Sequence, residues 1–195
     1  RVKRDNPLLF VPRRFLNTGA LFLMGDNGTI GEPATTNVRE DVALSGISWM
    51  EAEVYAAWAG ALSKKPVALP TSGQWQKAAR GVDGRIHPWG NGFDWTFTNG
   101  RGSTGDDRFK DCGVAPGGFP VDVSPYGVMD MAGNVAEWCI NGPGGEDFKA
   151  NRWILGGAFP WNDWKYFVTW PSYQMPTENV RGTDGLRLAR SLPGK

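Results

Sequence analysis

Ser124-Pro125-Tyr126-Gly127-Val128-Met129-Asp130-Met131-Ala132-Gly133-Asn134-Val135-Ala136-Glu137-Trp138 lies near the middle of the chain and concentrates its chemistry. Asp130 and Glu137 stand seven residues apart with Gly133 between them. Calcium takes six to eight oxygens, commonly mixing carboxylates with backbone carbonyls, and a glycine lets the chain turn sharply between ligands. A carboxylate pair at this spacing can therefore wrap a hard cation. The same residues also suit a plain turn, in which Asp130 and Asn134 cap backbone amides.

Upstream, two helices are predicted from local signals. Ser48 and Glu51 form a capping box ahead of Trp49–Gly60, with Gly60 as the stop. Trp49, Ala52, Ala56 and Ala59 fall on one helical stripe, flanked by Tyr55 and Trp58. Thr71 and Gln74 repeat the box ahead of Ser72–Arg80, which Gly81 ends. Beyond Gly81 only short strand-like pieces stand out, at Trp153–Leu155 and Leu186–Ala189, with a further one upstream at Leu21–Met24. The stretch Val82–Pro125 offers little regular structure. A loop of that length needs its own aromatics, or a bound metal, to hold it. The class expected is α+β with two helices, sparse antiparallel strands and long irregular loops.

Composition agrees. The chain has 195 residues with 27 Gly, 14 Pro and 10 Trp. That glycine content is high, but the aromatics exclude a disordered chain. One domain, 1–195, is expected, without internal repeat or dividing linker. A net charge of +1 gives no electrostatic case for nucleic acid or an anionic membrane. No apolar run approaches a membrane span. The chain begins without Met or an apolar leader and is taken as a mature form or a piece of something longer, so compartment is not legible. Two cysteines, Cys112 and Cys139, are too few for a disulfide scaffold, although one bridge is allowed. A single histidine, His87, argues against imidazole-built metal sites.

Several motifs in series resemble the formylglycine-generating-enzyme (sulfatase-modifying-factor) family. Leu69-Pro70-Thr71, Trp75 and Ala78-Ala79-Arg80-Gly81 are similar to its L-P-T-x-x-x-W-x-x-A-A-R-G. His87-Pro88-Trp89-Gly90-Asn91 resembles Y-P-W-G-N, and Ser124–Trp138 resembles S-P-Y-G-L-Y-D-M-A-G-N-V-W-E-W. Leu155–Phe159 and Gly185–Arg190 resemble R-G-G-S-W and G-F-R-L-A-R. The order is kept over about residues 21–190. The resemblance implies a C-type-lectin-like fold and a structural calcium. Carried over, Asp130 and Glu137 supply side-chain oxygens, and Gly133 and Val135 backbone carbonyls. A second family calcium site maps less clearly onto Asn99 with Asp106, Asp107 or Asp111. Sugar binding through calcium is not implied.

The family's enzymes oxidise a substrate cysteine with oxygen, using copper held by two cysteine thiolates in G-G-S-x-x-C-x-x-x-x-C. Here Trp161 and Tyr166 stand at those two positions, and neither binds Cu(I) as a thiolate does. No copper and no catalytic residue is therefore expected. Cys112 and Cys139 are assigned to packing or a bridge, and His87 to structure.

What remains is an aromatic segment, Trp153–Tyr173, with only Asp163 and Lys165 charged. Trp153, Phe159 and Trp170 are assigned to the core, and Trp49, Trp58, Trp75, Trp89 and Trp138 to pinning helices and turns. Trp and Tyr bury large area at little entropy cost and dominate binding hot spots. An exposed face is expected from Trp161, Asn162, Asp163, Trp164, Tyr166 and Tyr173, continuing through Gln174, Thr177, Glu178, Asn179 and Asp184. It would bind an unknown protein or small molecule. Three settings fit: a variable protein of a diversity-generating retroelement, a sensor or scaffold domain of a bacterial signalling protein such as a Ser/Thr kinase, or an oxidase of the formylglycine-generating type working without the cysteine pair.

Overall fold

The computed structural model describes residues 42–103, 113–143, 151–171 and 173–190. The expected strand Leu21–Met24, together with Asp106, Asp107, Asp111 and Cys112, lies outside the described residues.

Helix α1 spans Trp49–Ser63 and α2 spans Ser72–Arg80. Both open with the expected capping boxes, Ser48 with Glu51 and Thr71 with Gln74. Gly60 does not stop α1. The helix continues one turn through Ala61 and Leu62 to Lys64, whose left-handed backbone closes it. Gly60 is there for clearance: a Cβ on it would lie 3.2 Å from the Lys65 carbonyl oxygen, where the chain folds back.

Strand β1 is Val67–Ala68, β2 Ala136–Trp138, β3 Arg152–Leu155, β4 Tyr173–Met175, β5 Asp184–Gly185 and β6 Ala189–Arg190. A four-stranded sheet has the order β4-β3-β2-β5. The β3 strand runs antiparallel to both neighbours, with Trp138 opposite Ile154 and Ile154 opposite Tyr173. The β2 and β5 strands are parallel, Glu137 facing Gly185, so the sheet is mixed rather than purely antiparallel. A separate ribbon pairs β1 with β6. The strand expected at Leu186–Ala189 is not formed: Leu186–Leu188 connect β5 to β6, only Ala189 lies in a strand, and Arg187 turns to Glu137.

Two apolar clusters meet at this sheet. Trp49, Ala52, Leu69, Trp138, Ile154 and Met175 form one, joined by Ile47, Ala136 and Ala158. Trp75, Ala79, Met131, Cys139 and Leu155 form the other. Tryptophans in the core keep their N–H groups satisfied, as burial demands. Trp49 donates to the Cys139 carbonyl and Trp138 to the Ile47 carbonyl, at 2.9 and 3.0 Å. The Arg152 guanidinium lies 4.7 Å over the Trp49 ring. Cys139 is a buried free thiol whose pKa burial pushes up. That environment suits a packing residue and not a nucleophile.

Gly133 is one of the tight points of the frame. Its φ is +90°, and a Cβ there would sit 2.6 Å from the Asn99 carbonyl oxygen, a backbone atom that cannot move aside alone. Gly133→Ala is expected to lower the unfolding free energy by more than about 2 kcal/mol, from strain and overpacking together. Urea denaturation checks this, and a loss under about 0.5 kcal/mol would refute the close approach.

Candidate functional site: the acidic turn and the aromatic face

The turn Asp130–Glu137 gathers the irregular chain around it. Asp130 and Asn134 both take left-handed backbone, with φ of 56° and 63°. Asn and Asp tolerate this conformation better than other side-chain-bearing residues. Asp130 Oδ2 accepts from the Gly117 amide at 2.7 Å, and Asn134 Oδ1 from the Val114 amide at 2.8 Å. Asn134 also donates through Nδ2 to the Val114 carbonyl and through its own amide to the Asn99 carbonyl. Both side chains therefore do the capping work that the plain-turn alternative requires. Asp122, buried, accepts from the Ala132 amide at 3.0 Å through Oδ2. Burial pushes its carboxyl well above the usual range; the Ala132 amide works against that shift and the Asp130 charge adds to it.

Glu137 faces the other way and is saturated. Its Oε2 accepts from the Trp75 indole at 2.6 Å. The Arg187 guanidinium clasps both carboxylate oxygens, from Nε at 2.9 and 3.1 Å and from Nη2 at 2.8 Å. The same Nη2 donates to the Met129 and Asp130 carbonyls at 3.0 and 3.1 Å. Glu137 in turn holds the Arg187 pKa above its ordinary value, against burial. Sequence reasoning missed Arg187, although it stands in the Gly185–Arg190 motif.

Could the turn also hold calcium? Asp130, Val135 and Glu137 line one cavity of about 230 Å³, with Arg187 and Asn134 on its wall. Gly133 is not among its lining residues. Among the described residues no three His, Cys, Asp or Glu side chains form a metal cluster, so backbone carbonyls would have to complete the shell. Asp122 Oδ1 is buried without a hydrogen-bond partner. A hard cation here would have to share the Glu137 charge with Arg187, because the Trp75 indole and that guanidinium already meet both carboxylate oxygens. Asn99, expected in the second calcium site, is buried and donates to Asn134 Oδ1 at 3.3 Å.

The predicted binding face divides in two. Trp161, Tyr166 and Tyr173, expected to be exposed, are half-buried, with Trp161 and Tyr173 packed against the core, and they close into a triad of edge-to-face rings with centroids 5.0, 5.8 and 6.4 Å apart. Arg181 stacks its guanidinium 4.8 Å over Tyr173. It was not foreseen, since one arginine in a polar loop carries no sequence signal. Trp164 belongs elsewhere: it is exposed and turns an edge toward His87 at 6.3 Å. Asp163 caps the single 3-10 turn Trp164–Tyr166 that separates the two groups. Asn162, Gln174, Glu178 and Asn179 are exposed, as expected.

Three assignments need correcting. Thr177 and Asp184 are buried and do not belong to the exposed face. Asp184 is fixed as β5, where its carbonyl accepts the Gly46 and Ile47 amides; burial pushes its carboxyl up to about 6. Trp170 is exposed rather than core. The three residues before it take the buried positions, and Thr169 is tied to Ile86 and Arg85 through its amide and hydroxyl.

His87 anchors a further aromatic group. Its ring stacks on Trp89 at 5.2 Å, and Nδ1 lies 2.6 Å from the Phe167 carbonyl. Burial lowers its pKa below 6.5, and the carbonyl only partly offsets that.

The family described as sulfatase-modifying factor enzyme 1-like domain matches residues 24–192. An inactive C-alpha-formylglycine-generating enzyme 2 of Mus musculus is 35 % identical over 134 residues, 61 % of this chain and 41 % of that protein. A formylglycine-generating enzyme of Thermomonospora curvata is 36 % identical, covering 49 % of this chain and 32 % of its own length. The chain thus spans less than half of these curated relatives. Treponema denticola variable protein 1 superposes with a TM-score of 0.62 at 15 % identity, over 82 % of this chain and 75 % of that one. This likeness is one of fold, and it agrees with the α+β architecture described above.

Two outcomes follow from this geometry. Arg187→Ala strands the buried Glu137 carboxylate and is expected to cost about 3 kcal/mol in urea denaturation. Arg187→Lys, which cannot make the two-pronged contact, should recover less than half of that. For His87, the unfolded chain takes up a proton near pH 6.5 while the folded chain resists it. Stability is therefore full above that pH and falls as pH drops through it. Melting curves between about pH 7.5 and 5 should show this acid loss shrinking in His87→Phe relative to the parent. An unchanged slope would mean His87 is not held neutral.

Proposed function

Since the chain belongs to the sulfatase-modifying factor enzyme 1-like family, we propose that it is a non-catalytic member that binds a protein or small-molecule ligand through its C-terminal face, about residues 159–184. A variable protein of a diversity-generating retroelement is the setting we favour, and the fold likeness to a variable protein supports it. One observation carries the reading. Trp161 and Tyr166, at the positions the family pattern gives to its copper-binding cysteines, are locked with Tyr173 into an aromatic triad. Those rings offer no soft thiolate for Cu(I). They do offer rigid amphipathic area, with Arg181 stacked beside it and Trp164 exposed on the adjoining turn. Trp, Tyr and Arg are the residues that dominate binding hot spots.

The rival is an oxidase of the formylglycine-generating type, favoured by the 36 % identity to a formylglycine-generating enzyme. Oxygen uptake and cysteine loss on a sulfatase-motif peptide, with copper added, separate the two. We expect neither above the protein-free control, and clear turnover would overturn the non-catalytic assignment. For binding, peptides selected on the parent protein from a random displayed library should lose at least tenfold affinity for Trp164→Ala, with its melting temperature within a few degrees. Selected peptides indifferent to Trp164 and Arg181 would place the binding surface elsewhere.

We further propose that the turn Asp130–Glu137 holds a structural calcium, with Asp130 and Glu137 giving carboxylate oxygens and Gly133 and Val135 carbonyls. The cavity lined by Asp130, Val135 and Glu137 supports this. Protein purified without chelator should carry calcium by elemental analysis, and EGTA should lower its melting temperature. Unchanged metal content and melting temperature would leave Arg187 as the turn's sole cation.

A further inference from the structure

Helix α1 is apolar on two sides, and the described residues cover one. Trp49, Ala52 and Ala56 are buried. On the outside, Met50, Tyr55, Trp58 and Leu62 are 51, 39, 49 and 70 % exposed. The assignment of Trp58 to internal pinning is therefore corrected. Tyr55, Trp58 and Leu62 follow one another at spacings of three and four, which places them on one stripe. The Tyr55 and Trp58 rings pack together at 5.5 Å. Exposed Ala57 and Ala61 beside them leave room for another backbone to approach. A helix apolar all round is normally a covered helix.

The charges say what covers it. Inside α1 only Glu51 and Glu53 are charged, both near its N-terminal end. Glu53 is half-buried, and burial raises its pKa against the pull of the Arg152 charge. Glu51 stays at the first turn, where its carboxylate completes the capping box. Lys64 and Lys65, both exposed, follow the C-terminal end. Trp58 lies near the middle: Glu51 stands in the first turn, Tyr55 three residues before Trp58 and Leu62 four after, and Lys64 and Lys65 follow just past the last turn, where the chain folds back. A stripe with an acidic end, an apolar middle and a basic end is complementary to itself run in the opposite direction. Antiparallel pairing also opposes the two helix dipoles.

We propose that α1 packs antiparallel against α1 of a second copy of this chain, about a twofold axis beside Trp58. Tyr55 then meets Leu62 of the partner subunit, and Glu51 faces Lys65 of the partner subunit. This contact is isologous, as in most homodimers. Tyr55, Trp58 and Leu62, with Met50 beside them, bury at most about 1,000 Å² in total, below the standard size of a stable interface, so the dimer is weak and transient. The surface is separate from the aromatic triad, and the two readings stand or fall independently.

Sedimentation of the full chain from about 1 to 500 µM tests this. The mass should rise from 21.3 kDa toward twice that value with concentration. Leu62→Glu should weaken association at least tenfold, with helicity and melting temperature unchanged, and Lys65→Glu should weaken it by placing like charges opposite each other. Trp58→Cys should form a disulfide-linked dimer on mild oxidation, whereas Val82→Cys, 87 % exposed and outside α1, should not. A monomeric mass throughout would overturn the proposal. If Trp58 is then also shielded from a soluble quencher, another part of the same chain covers the stripe. A dimer that Leu62→Glu leaves intact would overturn it equally, by placing the contact elsewhere.

Discussion

A buried carboxylate shared between an indole and a guanidinium holds this domain together. Glu137 sits on β2 in the middle of the mixed sheet, Trp75 reaches it from α2, and Arg187 reaches it from the chain between β5 and β6. A charge taken out of water is tolerable only when its lone pairs are met, and here both oxygens are. The arrangement joins parts of the chain separated by 62 and 50 residues. Through its second contacts, Arg187 also fixes the Met129 and Asp130 carbonyls. One ion pair thus sets the position of a helix, a sheet and the turn that organises the loops.

From that turn the irregular regions are tied down one by one. Asn134 holds the chain at Val114 and Asn99, Asp130 holds Gly117, and Asp122 folds back onto Ala132. Side chains bonding to backbone replace the sheet ladders that such loops lack, so backbone groups of these loops find partners without regular structure. Upon this frame β4 presents Tyr173 and the single turn after Asp163 presents Tyr166. The aromatic face is therefore carried by rigid elements, although most of its residues lie in loops.

Much of this was legible in the sequence, for a physical reason. The capping boxes of both helices and the Asp130–Asn134 turn are local, so residue identity over a few positions is enough. Strands of two to four residues carry almost no periodicity, and their pairing is set by contacts far along the chain. That is why β1, β2, β4 and β5 went unseen and the strand expected at Leu186–Ala189 is mostly a connection between β5 and β6. Asp184 and Thr177 look like surface residues by type. Yet Asp184 is buried because its backbone is needed as a strand beside β2. The aromatics of the face were visible as a cluster. Their division into a Trp161 triad and a separate Trp164 depends on a turn capped by Asp163, which composition does not encode.

A double-mutant cycle on Glu137 and Arg187 tests the central claim most directly. Unfolding free energies would be measured for Glu137→Gln, Arg187→Gln and the double variant. If the pair organises the fold as described, each single change leaves its partner buried and unmatched, and the two couple by at least about 2 kcal/mol. Additive losses, with coupling near zero, would contradict it and make the contact incidental to a fold held by its apolar clusters alone.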